Sequence, residues 1–173
     1  MKKVAVIYKG KYGSTEKYAK WIAEETGADV FTPETCRVKE LEQYDVIVFG
    51  GAVHAGGISG IDFLKKNIGK IREKKILVFT VGLNIDTEET RKELVSINLV
   101  KKLEGLPCYF FPGAYNPEKV KGMDKALMKV VKKMISGGNS EEGTAEKLLH
   151  AIEYGDDFTD RNAVKEIVEE IKK

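Results

Sequence analysis

Residues 4–15 read Val-Ala-Val-Ile-Tyr-Lys-Gly-Lys-Tyr-Gly-Ser-Thr and carry the strongest structural signal in the chain. Residues 4–8 are an apolar run without alternation, which is typical of a parallel strand buried on both faces. A short loop with Gly10 and Gly13 follows, and a helical apolar pattern begins directly after it. Free backbone N–H groups and the positive end of the helix dipole meet at such a loop, so this stretch predicts an anion site, most often for a phosphate.

Strand and helix patterns alternate along the chain, which predicts a parallel sheet with helices on both faces. The predicted strands are residues 4–8, 28–31, 46–49, 76–81 and 109–111. The predicted helices are residues 15–26, 60–72, 86–104 and 118–136, a short one around 145–152, and a last one capped by Thr159-Asp160. Asp86 with Glu89 suits the start of the third helix, Gly137-Gly138 suits the end of the fourth, and residues 154–157 read as a turn. We expect one α/β domain over residues 1–173.

Composition limits the function classes. The chain has 173 residues, 42% of them apolar and 32% charged, as expected of a soluble globular protein. No apolar run approaches the roughly 20 residues of a membrane-spanning helix, and no signal-peptide pattern precedes the first strand. Cys36 and Cys108 stand alone, which favours a reduced, cytoplasmic setting and predicts no metal site. A formal charge of +2 gives no argument for nucleic acid.

The loops that follow the strands are the places to look for a ligand, because open α/β sheets bind ligands outside the carboxyl ends of their strands. Residues 50–60 contain five glycines in eleven positions, which would let the backbone approach a flat ligand closely. A purely structural loop is the alternative there. Residues 82–85 and 112–115 follow the fourth and fifth strands.

The spacing of the first loop excludes two nucleotide classes. A dinucleotide fold requires G-x-G-x-x-G, and Gly10 and Gly13 have a different spacing. A triphosphate loop requires Gly-Lys-Ser/Thr, and Gly13-Ser14-Thr15 lacks the lysine. A mononucleotide with a single terminal phosphate fits best.

Strand, then residues 10–15, then helix resembles the FMN phosphate loop of flavodoxins, usually T/S-x-T-G-x-T. Gly13 and Thr15 match it, whereas Gly10 and Tyr12 replace hydroxyl residues. The resemblance implies a three-layer flavodoxin-like α/β sandwich with a five-stranded parallel sheet in the order 2-1-3-4-5, and one FMN. Its phosphate would bind at Gly13, Ser14 and Thr15, with the loops after the third and fourth strands beside the ring. The cofactor-binding residues predicted in this way are Gly10, Lys11, Tyr12, Gly13, Ser14, Thr15, Ala52, Val53, His54, Ala55, Gly56, Gly57, Val81, Gly82, Leu83, Asn84 and Tyr115.

A narrower resemblance, to the flavodoxin-type menaquinone-dependent protoporphyrinogen dehydrogenases, rests on several short segments in the right order. These are the phosphate loop, residues 44–48, Gly113-Ala114, the Met- and Lys-rich helix running into residues 136–138, and residues 158–160. The chain departs from that subgroup at residues 140–155 and at Ala55. The resemblance implies an FMN-dependent oxidoreductase that acts on a porphyrinogen and passes electrons to a quinone.

Two other functions stay open at the level of sequence. One is a flavodoxin electron carrier that docks to redox-partner proteins, although such carriers are commonly acidic and this chain is not. The other is a flavin-free binding module. His54 is a candidate for proton transfer or an ordinary loop histidine. The lysines of the 118–136 helix form a solvated face or contact anionic lipid as a peripheral membrane surface.

Overall fold

The computed structural model describes residues 2–137 and 142–173; Gly138, one of the two predicted helix-ending glycines, lies outside the described residues, as do residues 139–141. The strands are β1 Val4–Lys9, β2 Asp29–Phe31, β3 Val46–His54, β4 Gly57–Ile58, β5 Lys75–Gly82, β6 Cys108–Pro112, β7 Ala114–Tyr115 and β8 Asp156–Asp157. The helices are α1 Ser14–Thr26, α2 Ile61–Ile71, α3 Glu88–Asn98, α4 Gly122–Ser136, α5 Glu142–Tyr154 and α6 Lys165–Lys172.

The central sheet has five parallel strands in the order β2-β1-β3-β5-β6. Counting the parallel strands alone, this is the predicted order 2-1-3-4-5, which is confirmed. Both neighbours of β1 are parallel to it: Ala5 is opposite Asp29 on one side and Ile47 on the other. From β1 the sheet extends on one side to its edge strand β2, and on the other side through β3 and β5 to its edge strand β6.

The two faces of the sheet are buried by different helices. Successive side chains of a strand point to opposite faces, so Val4 and Val6 pack on one side while Ala5 and Ile7 pack on the other. The first face is covered by α1 and α6, and the second by α2 with the segment that follows α3. Ile167, Val168 and Ile171 of α6 are buried there, together with Val164, which directly precedes the helix.

The glycine-rich segment after the predicted third strand is strand rather than loop for half its length. β3 continues to His54 and then turns back through Ala55 and Gly56 into β4, with His54 opposite Gly57. Ala55 and Gly56 have φ values of 48° and 77°, as a two-residue hairpin turn requires. Gly50 is needed for packing, because an added Cβ would lie 1.9 Å from Cζ of Phe79.

Three further boundaries differ from the sequence prediction. Thr87, not Asp86, caps α3, since its hydroxyl accepts from the N–H of Thr90 at 3.2 Å. The predicted helix 86–104 ends at Asn98 and is followed by a short 3-10 turn at Lys101–Leu103. The predicted turn at 154–157 holds β8, which pairs antiparallel with β7.

The β7–β8 pair closes a long insertion that contains α4 and α5. Ala114 is opposite Asp157 and Tyr115 is opposite Asp156, so the two ends of the insertion lie side by side. The N–H of Phe158 also donates to the carbonyl of Gly113 at 3.1 Å. We refer to residues 116–155 as the α4–α5 insertion.

Tyr18 joins three segments near the base of this insertion. Its hydroxyl donates to the carbonyl of Pro112 at 2.6 Å and accepts from the N–H of Asp160 at 3.0 Å. Burial raises the pKa of the Tyr18 phenol to about 12, so the hydroxyl stays protonated and the donor bond persists at neutral pH.

Asn98, at the end of α3, holds the β3–β4 hairpin in place through hydrogen bonds to its backbone. Its Oδ1 accepts from the N–H of Ile58 at 2.8 Å, and its Nδ2 donates to the carbonyls of Gly56 and Leu94, both at 2.9 Å. Asn98 is 3% exposed. Because the N–H of the buried Ile58 needs a hydrogen-bond partner, this side chain completes the hairpin's hydrogen bonding.

We expect Asn98→Ala to lower the free energy of unfolding by about 1–3 kcal/mol, because the Ile58 N–H loses a buried partner. Urea titration monitored by circular dichroism measures the change. Ser96→Ala, at an exposed position of the same helix, is the control and should change stability little. Equal midpoints for the two variants would contradict the role assigned to Asn98.

Candidate functional site

A cavity of about 1000 Å³ opens at the carboxyl ends of the parallel strands. It lies where the strand order reverses between β1 and β3, the position at which sheets of this type bind ligands. Residues after β1, β3, β5 and β6 form its floor, and α4 and α5 contribute the opposite wall. The site is thus built from loops that the sheet brings to one edge and from an insertion folded over them.

The loop after β1 forms the polar end of the cavity. Gly13 precedes α1 with φ 101°, a conformation that favours glycine, and its carbonyl accepts from the N–H of Lys17 at 3.0 Å. Gly10 is required by Thr15, because a Cβ at Gly10 would lie 2.8 Å from both Cβ and Oγ1 of that side chain. Ser14 Oγ accepts from the N–H of Ala114 at 3.1 Å, which ties the loop to the base of the insertion.

The β3–β4 hairpin and the segment after β5 form the middle of the cavity. Val53 and His54 line it from the hairpin, and Leu83 and Asn84 line it from the segment after β5. An added Cβ at Gly82 would lie 3.2 Å from Val53, so glycine at this position lets the two segments approach closely.

Most of the sequence-predicted cofactor residues come together at this cavity. Those that line it are Gly10, Lys11, Tyr12, Ser14, Thr15, Ala52, Val53, His54, Val81, Gly82, Leu83, Asn84 and Tyr115. Gly13, Ala55, Gly56 and Gly57 are not among the lining residues: Gly13 is the N-cap of α1, and the other three belong to the turn and return strand of the hairpin.

The α4–α5 insertion supplies an apolar wall that the sequence prediction did not include in the site. Leu127, Met128 and Val131 line the cavity from α4, and Leu148 and Ile152 line it from α5. The two helices are joined by an ion pair between Lys132 and Glu153 at 2.9 Å. The cavity therefore has a polar end at the β1–α1 loop and an apolar side beneath the insertion.

Asp124, in the first turn of α4, connects the insertion to both loops of the site. Its Oδ2 accepts from Lys11 Nζ at 2.5 Å and from the Tyr12 hydroxyl, and its Oδ1 lies 3.0 Å from His54 Nε2. The side chain is 13% exposed. These contacts, led by the one with Lys11, hold the pKa of the Asp124 carboxyl well below its usual range. One carboxylate thus joins the β1–α1 loop, the β3–β4 hairpin and α4.

Asp124 is the functional residue that sequence reasoning missed most clearly. It is the one acid in the lysine-rich α4, and an acid in a helix's first turn is favoured by the helix dipole, so the sequence offers a local reason for it. Because the helix dipole already explains an acid at this position, the sequence gives no reason to look for the contacts of Asp124 with distant residues. The contrast between this one acid and the four lysines of the same helix is the sequence signal that pointed further.

Two further observations concern the described residues. Within residues 2–137 and 142–173, no cluster of three or more His, Cys, Asp or Glu side chains is arranged to hold a metal ion. Over the same ranges, every helix is too short or too polar to cross a bilayer.

Comparison with known proteins finds one relative by sequence. An uncharacterized protein of Methanocaldococcus jannaschii is 34% identical over 95 residues, which are 53% of this chain and 63% of that protein. The matched region thus spans less than two thirds of that relative.

Similar solved structures include flavodoxins and a larger oxidoreductase. A flavodoxin from the domain Archaea superposes with a TM-score of 0.48 at 12% identity and covers 87% of this chain and 96% of its own. The flavodoxin of Megasphaera elsdenii gives a TM-score of 0.44 at 21% identity, over 62% of this chain and 82% of its own. The rubredoxin:oxygen oxidoreductase of Desulfovibrio gigas gives a TM-score of 0.45 at 16% identity, over 87% of this chain and 36% of its own.

The sequence model of the flavodoxin domain matches residues 5–142, which include β1, the loop after it, the central sheet and α4. This match extends over most of the chain, and the observed strand order and loop positions fit it. The chain belongs to the flavodoxin domain family.

Proposed function

We propose that this protein binds one FMN at the carboxyl edge of the sheet and is an FMN-dependent oxidoreductase that passes electrons from an apolar substrate to a quinone. The observation that carries the proposal is the continuity of the cavity, which runs from the polar β1–α1 loop to the apolar wall of α4 and α5. The polar end suits a phosphate and the apolar side suits a flat, uncharged molecule.

The residues at the polar end fit the phosphate of FMN. They stand before the N-terminus of a 13-residue helix, where N–H donors and the helix dipole favour an anion. Thr15 fills the space that a side chain at Gly10 would occupy, so its hydroxyl lies against the loop. A cavity of about 1000 Å³ is at the upper end of the range for small-molecule and cofactor sites, roughly 300–1,000 Å³.

When bound, FMN supplies one- and two-electron redox chemistry. In this proposal the chain holds its phosphate with residues 10–15 and flanks its ring with Val53, His54, Leu83 and Asn84. Asp124 Oδ1 keeps a proton on His54 Nε2 and fixes the orientation of the imidazole. The apolar side chains of α4 and α5 exclude water from the substrate.

The proposed substrate is a porphyrinogen or another largely apolar reductant, with a quinone as the acceptor. Its support is the resemblance to protoporphyrinogen dehydrogenases together with the apolar wall, which includes Leu127, Met128 and Val131. The aromatic side chains that line the described cavity are Tyr12 and Tyr115, and the Tyr12 hydroxyl is engaged by Asp124. Such a substrate requires a large apolar protein surface on one side of the flavin ring.

Turnover of protoporphyrinogen with a quinone acceptor tests the proposal directly. A yellow protein that turns over this substrate supports it. A yellow protein that does not, but accepts electrons from a ferredoxin-type reductase, would instead be an electron carrier that docks to redox-partner proteins. A sample that stays colourless after incubation with FMN would contradict both and leave a flavin-free binding module.

We expect Thr15→Val to weaken FMN binding by about tenfold or more, because a hydrogen bond to a charged group contributes about 1.5–3 kcal/mol. Fluorescence titration of FMN measures the dissociation constant. Thr26→Val, which removes a hydroxyl at the other end of α1, is the matched control. Unchanged affinity in Thr15→Val would show that the phosphate does not bind at this loop.

We expect Asp124→Asn to destabilise the protein at neutral pH and to lose this effect in acid. Because the folded protein lowers the pKa of Asp124, the ionised carboxylate stabilises the fold above the unfolded value, near 3.8, and the stabilisation is lost as pH falls further. Urea midpoints of wild type and variant should differ at about pH 5, and the difference should narrow progressively as the pH falls below about 4.

Asp62→Asn is the control for this experiment, because Asp62 also lies in the first turn of a helix but its side chain is 78% exposed. It should show a much smaller difference at both pH values. A gap between wild type and Asp124→Asn that widens in acid would contradict the role of the ionised carboxylate.

A further inference from the structure

The outward side of α4 carries an apolar row. Met123, Val130 and Met134 are 88%, 55% and 68% exposed. Their spacing of seven and four residues places them along one line of the helix. Met123 and Val130 are not part of the cavity wall, so this part of the row is distinct from the apolar side that faces the site.

Positive charge lies beside this row. Residues 119–133 include six lysines, whereas Asp124 is the one acid of α4 and faces inward onto Lys11. Lys129 and Lys133 are four positions apart, and Lys133 is three positions from Val130, so the basic and apolar rows are neighbours on the helix surface. The whole chain has a net charge of only +2, so this concentration of lysine is local.

The exposed row also reaches the mouth of the cavity. Lys133, Met134 and Gly137 belong to the cavity lining, and Met134 is at the same time the last member of the exposed row. A surface that covers the row would therefore lie next to the opening of the site.

We propose that the outer face of α4 docks on an anionic lipid bilayer, with Met123 and Val130 inserted among the lipid chains and Lys129 and Lys133 at the headgroups. A helix with an apolar row flanked by lysines is suited to lie in the plane of such a surface. Lysine stems are long enough to cover apolar surface while the ammonium stays at the headgroup level. The negative charge of the lipid headgroups complements the lysines, which favours an anionic bilayer over an uncharged apolar surface. The proposal does not depend on FMN.

Co-sedimentation of the full chain with vesicles of phosphatidylcholine, with or without phosphatidylglycerol, tests this proposal. Binding should be at least about tenfold stronger to the anionic vesicles and should weaken with salt, since each lysine near such a surface contributes roughly 1 kcal/mol. Lys129→Glu with Lys133→Glu should reduce binding at least about tenfold. Met123→Ser with Val130→Ser should reduce it at both low and high salt.

Matched controls come from other helices. Lys66→Glu with Lys70→Glu reverses two exposed charges on α2, and Ile97→Ser removes an apolar side chain that is 52% exposed on α3. Both should bind vesicles as wild type does, and circular dichroism confirms that every variant is folded.

Three results of the vesicle experiment would overturn the proposal: no vesicle binding, equal binding to both lipid compositions, or an equal loss of binding in the control variants. A dimer in sedimentation velocity that disappears in Met123→Ser with Val130→Ser would also overturn it, because a second copy would then cover this face. FMN absorbance is recorded on the same samples, so a failure of cofactor binding is distinguished from a failure of vesicle binding.

Discussion

The central position of β1 is the constraint on which the rest of the structure depends. It is parallel to a neighbour on each side, and Ala5, Val6 and Ile7 are fully buried, so neither its register nor its direction can change without exposing both layers. The strand order reverses at this strand, so the loop that leaves it enters a crevice rather than a covered edge. The polar end of the cavity is therefore placed by the packing of the sheet.

The second determinant is the α4–α5 insertion, which turns an open crevice into a cavity with two chemically different parts. Asp124 holds it against the β1–α1 loop and the hairpin, while Ser14 and Tyr18 hold its base against α1 and β6. These contacts are polar and charged, whereas the wall they position is apolar. In α4, Asp124 therefore positions the helix, whereas Leu127, Met128 and Val131 form the apolar wall.

The sequence predicted the strands and the loop after β1 because their signals are local: apolar runs, glycine spacing and the onset of a helical pattern. The strand order was predicted from the resemblance to flavodoxins. It failed where the deciding contact is distant along the chain. Gly50 looks like a ligand-facing glycine, yet Phe79 of the neighbouring strand is the reason for it. Asp124 contacts residues 70 to 113 positions away, and no periodicity reports such a pairing. β7 and β8 have two residues each, too few to produce a pattern.

The short β7–β8 ladder has an evolutionary consequence. Since the insertion leaves and re-enters the domain at adjacent backbone positions, its length and composition can vary while β6 and α6 keep their places. Closure entropy grows only slowly with loop length, so a shorter, longer or differently folded excursion costs the sheet little. Domains that share one ancestor could therefore differ in this segment, and in the ligands they bind, while they keep the same sheet and flanking helices.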